Sequence, residues 1–495
     1  GRGRIQVVNI DGTTPFQDTP DGDQWWSAAQ RLDPFYGGFW GKSSGQSAWA
    51  SHTQVANQVA GGRARWEAAW KLDPDEAMNV LLEPRYRETV VAALGAITQW
   101  RTLSGEQLAS ITGHKTFQRR FANHSDVSPV LRALWTVGAL DAGRTMIGAW
   151  AGQPHHAPLL WRPRASKFWD KFAPNLSWAQ QVAVTGGDKY RVGHQHDRHN
   201  VLSVELALRF AEFGESGTVL GEAFAGFDQL SDGRWTRLHE LEGAKTPNAV
   251  GDVVLVRPDG LRIVVELTAG AGISYTSKLQ RWAKFLANVP FAASGVVVVF
   301  VEALPPYAGP GQRKQLRWQL RNAMSNAVRA FPGRRGDLVE DRLFLASWDD
   351  WFPSARTLSN KFELLTANKV AGAGAKDWVS VDMASIFDLP LPDDSDPLLE
   401  KVIENSLGLA GTPKAIGDRH PTFDGLDFVT ESLRALGVPP VLEVESGTDQ
   451  GWVGQPLQVG RGVGVAGDVV RSPKNLFWAP FSQVGPPPVN RHVHL

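Results

Sequence analysis

The chain is 495 residues long, more than one ordinary core accommodates and enough for two or three domains. Apolar residues make up 42% and charged residues 21%, with 51 basic side chains against 51 acidic, the composition of a folded globular protein whose global charge names no partner. The absence of cysteine excludes disulfides, thiolate metal sites and cysteine nucleophiles, and with no apolar run of about 18 residues no membrane insertion is expected.

Residues 1–80 are rich in Gly, Ser, Asp and Trp with little periodicity, as in "DGDQWWSAAQRLDPFYGGFW", and predict an irregular arm with one short helix near "GRARWEAAWKL". Such an arm either lies against a neighbouring protein or packs across its own domain. The beginning lacks a Met and an apolar signal segment, so the numbering is expected to start after processing or partway along a longer chain. Twenty tryptophans are read first as core and interface packing.

Over 81–152 the pattern turns helical. Pro84 stands at a first-turn position ahead of Val91, Leu94 and Ile97, and Ser104 to Glu106 begin a second helix with Leu108 and Ile111 inward. "PVLRALWTVGAL" makes a third helix from Pro129 to Gly138, followed by strand-like "RTMIGAW". Three short helices and a β-ribbon describe a winged helix-turn-helix whose third helix could enter a DNA major groove; the other reading is a small helical domain that binds protein or nothing. Lys115, Arg119 and Arg120, ahead of that third helix, are candidates for phosphate contact.

Residues 180–352 predict an α/β domain. "DRHNVLSVELALRFAEFG" sets Val201, Val204, Leu208 and Phe213 at helical spacing, "GTVLGEAFAG" is a short strand, and "GDVVLVRPDGLRIVVELT" reads as a hairpin. A helix "SYTSKLQRWAKFLANV", a buried strand "SGVVVVFV", a basic helix over 311–330 and a strand "DRLFLAS" complete the order α-β-β-β-α-β-α-β, an α/β layer. Residues 353–395 read as a core extension ending in the linker-like "DLPLPDDSDP", and 396–495 as a C-terminal extension that says little about chemistry.

The hairpin poses the chemical question, because it keeps Asp252 and Glu266 among valines. "RPDGL" is a strong turn signal, with Pro258 preset for the first corner and Gly260 able to take a positive φ. A three-residue loop pairs Arg257 with Leu261, and counting back places Asp252 opposite Glu266 on one face of the sheet. Opposed side chains lie about 5 Å apart at Cβ, so two buried carboxylates there raise one pKa strongly or require a cation. Mg²⁺ or Mn²⁺ is the economical candidate; the bland alternative is a solvated strand end or a structural bridge to Lys278 and an arginine. On the following helix Leu279, Trp282 and Leu286 form the buried stripe and Lys278 sits at its border, placed to lean toward the carboxylates. Glu205 or Glu222 would add a further oxygen ligand.

This arrangement resembles the PD-(D/E)XK nuclease-like core and, more narrowly, the replication-relaxation family of plasmids and integrative elements. The residues that carry the resemblance are the His-led helix "HNVLSVELALRF" from His199, "VLGEAF" with Glu222, Asp252, "VVELT" with Glu266, and Lys278 in "SKLQRW". It covers about residues 84–350 and implies a restriction-endonuclease-like α/β core behind a winged helix. It also implies Asp252 and Glu266 as catalytic metal ligands, with Glu222 beside them, and Lys278 as electrostatic helper. Two departures matter: Thr268 and Ala269 stand where the family keeps an acid and an arginine, and "VGD" replaces its Pro-Asp. Thr268 also occupies the usual lysine position of the core, for which Lys278 would substitute.

A basic helix, "GQRKQLRWQLRNAMSNAVRAFPGRRG", spaces Arg313, Arg317 and Arg321 four apart on one face with Leu316, Leu320 and Ala327 opposite, a pattern suited to DNA phosphates. The expectation is a cytoplasmic bacterial, DNA-binding protein of a plasmid, integrative element or phage, with double-stranded DNA as partner and Mg²⁺-dependent nicking if the core is active. The alternative is a non-catalytic structural or adaptor protein of a virion or conjugation assembly, contacting proteins through its arm and C-terminal extension. The loop with His194, His196 and His199 either holds a metal or caps its helix.

Overall fold

The computed structural model describes residues 13–15, 28, 31–37, 39–40, 47–117, 127–145, 158–164, 166–176, 178–185, 190, 196–213, 218–222, 225–230, 251–256, 261–372 and 377–383. The chain divides into two compact units, one built mainly on Ser43–Leu208 and the other on Arg209–Ser395 together with Gly1–Gly22 and Ser27–Lys42.

In the first unit, β1 (Ser47–Ala50) leads into α1 (His52–Ala60) through a capping box: the Ser51 hydroxyl accepts from the Gln54 N–H, and the Gln54 side chain accepts from the Ser51 N–H. A single 3-10 turn, Trp66–Trp70, and α2 (Pro74–Leu82), capped by Asp73, follow. The irregular arm expected to residue 80 is therefore corrected from Ser47 onward, and the helix expected at "GRARWEAAWKL" is that 3-10 turn. Then come α3 (Arg87–Trp100), β2 (Leu103–Ser104), α4 (Gly105–Thr112) behind a second capping box of Ser104 and Gln107, and α5 (Pro129–Thr136). The chain leaves α5 through Gly138 at φ 80° into β3 (Leu140–Thr145), and β4 (Leu159–Pro163) pairs antiparallel with it in the order β1-β3-β4-β2. Trp70, Trp135 and Trp161 are fully buried, with Trp70 centred 5.9 Å from each of the other two rings. These indoles are core packing. Helices α6 (Ser166–Phe172), α7 (Trp178–Thr185) and α8 (Asp197–Phe213) follow.

The second unit holds a seven-stranded sheet. Its strands are β5 (Thr218–Gly221), β6 (Val253–Val256), β7 (Arg262–Thr268), β8 (Val296–Glu302), β9 (Leu343–Ser347), β10 (Thr366–Ala371) and β11 (Asp377–Asp382). The spatial order is β11-β10-β9-β8-β7-β6-β5, with β5, β6 and β7 an antiparallel meander and β7, β8 and β9 parallel. Between β7 and β8 runs α9 (Ile273–Asn288), and between β8 and β9 runs α10 (Pro310–Ala330). β8, "VVVVFVE", is buried at every residue, as a strand covered on both faces must be. At its other end Arg342, fully buried, donates to the carbonyls of Leu286, Val289 and Val296 and to Asp337, which ties α9, β8 and β9 together. Burial pulls that guanidinium down to about 10, against the pull of Asp337.

The N-terminal residues pack within this same unit. Thr13–Pro15 pairs antiparallel with Thr357–Ser359, the Tyr36 hydroxyl donates to the Phe352 carbonyl, and the Trp40 indole donates to the Ala303 carbonyl. Of the two readings of the arm, these residues follow the one in which it packs across its own domain. The strands β10 and β11 extend the sheet past the "DRLFLAS" strand. No helix among the described residues is long and apolar enough to cross a membrane.

Candidate functional site

The turn at Arg257 to Gly260 lies outside the described residues, but the pairing on either side of it sets the register. Val253 faces Val265, Val254 faces Val264 and Val256 faces Arg262, and Asp252, one residue before β6, lies near enough to Glu266 for its charge to act on that carboxyl. Asp252 lies just outside β6. Its N–H still donates to the Val265 carbonyl at 2.9 Å, while its Oδ2 accepts from the Leu267 N–H at 2.7 Å, replacing a ladder bond that a longer β6 would supply. Gly251 lets the chain pass: a Cβ there would stand 2.3 Å from Cγ1 of Val264.

Glu266 is only 1% exposed. Its Oε2 accepts from Lys278 Nζ at 2.5 Å and its Oε1 from the Trp282 indole at 2.8 Å. Lys278 and Trp282 are four residues apart on α9, so one helix face delivers both donors. The Trp282 ring is held edge-on by Phe227, 4.7 Å away between centroids. Burial is the largest influence on Glu266 and raises its pKa to about 7; Lys278 opposes that rise, and the charge of Asp252 adds to it. Burial works against the Lys278 ammonium, yet Glu266 and Asp252 hold its pKa above the ordinary lysine value. Lys278 thus stays charged while Glu266 titrates near neutrality.

A second polar cluster lies along the same end of the sheet. Glu302, the last residue of β8, pairs in register with Thr268 of β7 and Ser347 of β9. From α10, Arg317 donates to Glu302 at 2.6 Å, to Ser347 at 3.1 Å and to Asp349 at 3.2 Å, and Arg313 donates to the Pro305 carbonyl and pairs with Asp349. Burial raises the Glu302 pKa, and Arg317 opposes it. The expectation that Arg313 and Arg317 meet phosphates is corrected by these contacts, because carboxylates at the strand ends already engage them. Sequence reasoning missed Glu302, although a glutamate closing a run of buried valines was a usable signal. Arg321 is exposed, with its guanidinium 5.3 Å from the Trp378 ring centroid.

The structure therefore brings Asp252, Glu266 and Lys278 together. Glu222 follows β5 by one residue, where the register with β6 continues the row to Asp252, but no group of three His, Asp or Glu side chains that could hold a metal ion occurs among the described residues. His194, Arg119 and Arg120 lie outside the described residues, as does 396–495; Lys115 opens the 3-10 turn Lys115–Phe117. The acceptor that anchors the start of α8 is Asp197, which takes the Trp49 indole at 2.8 Å and the Thr102 hydroxyl at 2.9 Å. The helix expected to enter a DNA groove, α5, is covered: Val130, Leu131, Ala133, Leu134, Trp135 and Thr136 are buried, and Arg132 donates to the Ala69 and Trp70 carbonyls. No family model, curated protein or solved structure matches this chain.

Proposed function

We propose that the sheet unit is a nuclease-like core acting on DNA phosphodiesters, in a protein of a plasmid, integrative element or phage. The observation that carries the reading is the closeness of Asp252, just ahead of β6, to Glu266 on the paired strand β7, with the Lys278 ammonium on Glu266. The donor chemistry suits a hard cation such as Mg²⁺ or Mn²⁺: Glu266 is a buried carboxylate whose pKa stays high despite Lys278, a charge that a divalent ion would offset. Each Glu266 oxygen also accepts a single hydrogen bond from Lys278 or Trp282, which leaves lone pairs for a ligand role. Asp252 and Glu266 would hold the ion, which when bound would activate water and screen the phosphate. Lys278 would stabilise charge developing on the phosphate oxygens, and Trp282 keeps Glu266 in its rotamer.

In the first unit, three helices followed by the antiparallel β3 and β4, with β2 on β4, support a winged-helix reading. The coverage of α5 leaves that helix without a role in reading DNA, so the nucleic-acid contact belongs in this proposal to the sheet unit. Supercoiled plasmid with Mg²⁺ or Mn²⁺ tests the reading: the wild type nicks it, and Asp252→Asn and Glu266→Gln spare it. Intact plasmid under every divalent metal, with protein that melts normally, refutes cleavage.

One observation favours the second reading, a non-catalytic scaffold of a virion or conjugation assembly. Asp252 caps the Leu267 N–H and Glu266 is closed in an ion pair, so both acids already have architectural partners. On that reading Asp252→Asn lowers the melting temperature and changes no DNA product.

A further inference from the structure

The sheet unit exposes a tryptophan in a chain that buries most of those it places. Trp318 on α10 is 65% exposed, whereas Trp282, Trp348 and Trp351 of the same unit are all at 1% or less. A singly exposed apolar side chain is ordinary by itself, so the setting of this indole has to carry the argument. Its neighbours on the helix decide what kind. Lys314 stands four residues before it and Arg321 three after, so all three share a face, and both cations are exposed. Gln315 and Asn322 flank the same stripe, so the indole sits in polar surroundings that a greasy protein partner would not match. Arg321 also lies against Trp378 of the edge strand β11, which adds a half-buried second ring. Across residues 303–336 there are seven Lys and Arg and no acidic residue. With Arg313 and Arg317 turned to Glu302 and Asp349, the exposed cations are Lys314, Arg321, Arg329, Arg334 and Arg335.

We infer that Trp318 is a stacking platform for single-stranded nucleic acid, with Lys314 and Arg321 holding the phosphates on either side of the stacked base. A duplex hides the faces of its bases, so a lone exposed indole between cations gains most from an unpaired strand, whose every base offers a π-face. The inference rests on the nucleic-acid reading above for its partner class and needs no cleavage.

The test is fluorescence anisotropy of a labelled oligo-dT of about 20 nucleotides and of a matched duplex, with the full chain in EDTA. Trp318→Ala is expected to weaken oligo-dT binding by about tenfold, Trp318→Phe to retain most of it, and neither to change duplex binding by more than about twofold. Lys314→Ala and Arg321→Ala each lower the slope of log affinity against log salt by about 0.7. Because the indole is exposed, the alanine variant should melt with the wild type, which separates lost contact from lost fold. Unchanged oligo-dT binding in Trp318→Ala, an equal loss on duplex and single strand, no binding by the wild type, or loss of self-association in its place would each overturn the inference. Metal-free binding keeps the two readings apart: nicking with an inert Trp318 sinks only this one, and a tenfold loss without nicking sinks only the other.

Discussion

Lys278→Met removes the ammonium and keeps most of the volume of the side chain, and its effect can be worked through. Glu266 is 1% exposed and Lys278 Nζ lies 2.5 Å from its Oε2, while the lysine side chain is 29% exposed. Removing one partner of a buried pair costs about 3–5 kcal/mol, and the partial exposure of Lys278 argues for about 3. That cost depends on pH. Burial holds the folded-state pKa of Glu266 at about 7, above its ordinary 4.5, so the folded protein binds this proton more tightly than the unfolded chain does. Stability therefore falls as pH rises between those two values, by about 3 kcal/mol for a shift of that size. Lys278, raised above its ordinary value, contributes stability that is fully present below that value and lost only at more alkaline pH, outside the window. Without the ammonium Glu266 titrates higher still, and the decline continues further. In urea unfolding followed by circular dichroism, Lys278→Met should differ from wild type by less than about 1 kcal/mol near pH 5 and by about 3 near pH 8. Adding Glu266→Gln to Lys278→Met should recover most of the loss. A difference that does not change with pH, or strict additivity in the double variant, would refute the reasoning.

Arg342→Met leaves the Leu286, Val289 and Val296 carbonyls without their guanidinium donor in the core, and should cost about 3–5 kcal/mol in urea unfolding. Gly251→Ala drives a Cβ against the fully buried Val264, costs about 1–3 kcal/mol, and loosens the Asp252 cap, so that hydrogen exchange at the Leu267 amide speeds up. Ser104→Ala removes one side of the capping box of α4 and should lower stability by about 1 kcal/mol, read from the thermal transition.

The hairpin was legible because its information is local. Alternation with a period of two fixes which residues share a face, and the chemistry of Pro258 and Gly260 counts the register from the turn outward. What could not be read depends on partners distant in sequence. The arginines of α10 sit on a periodic face, but a helical period does not say whether a polar face meets water or an acid. Glu302 and Asp349, on or just after other strands, decide that for Arg313 and Arg317. Likewise Arg132, the single charged residue in "PVLRALWT", looks like an exposed marker, yet its guanidinium satisfies carbonyls of the Trp66–Trp70 turn. β10 and β11, "TANKVA" and "DWVSVD", mix small and polar residues because one is half-covered and the other lies at the edge, and neither gives an apolar run to detect.

The two glutamates at this end of the sheet also explain why one cluster is the candidate for chemistry and the other is architecture. Both are buried and both have raised pKa values, and each receives a cation from the helix that follows its strand. Glu302 receives a guanidinium spread over three acceptors, Glu302, Ser347 and Asp349, a planar fork whose geometry is spent and which no hydrated ion would displace cheaply. Glu266 receives a compact ammonium on a flexible, partly exposed stem. Swinging that ammonium aside returns rotamer freedom to the lysine stem and frees an oxygen next to Asp252, so a metal ion can take its place without dismantling the sheet. The same exchange at Glu302 would also break the hydrogen bonds of Arg317 to Ser347 and Asp349. Lysine at 278 and arginine at 317 thus divide the sheet edge into a part that can open and a part that holds it.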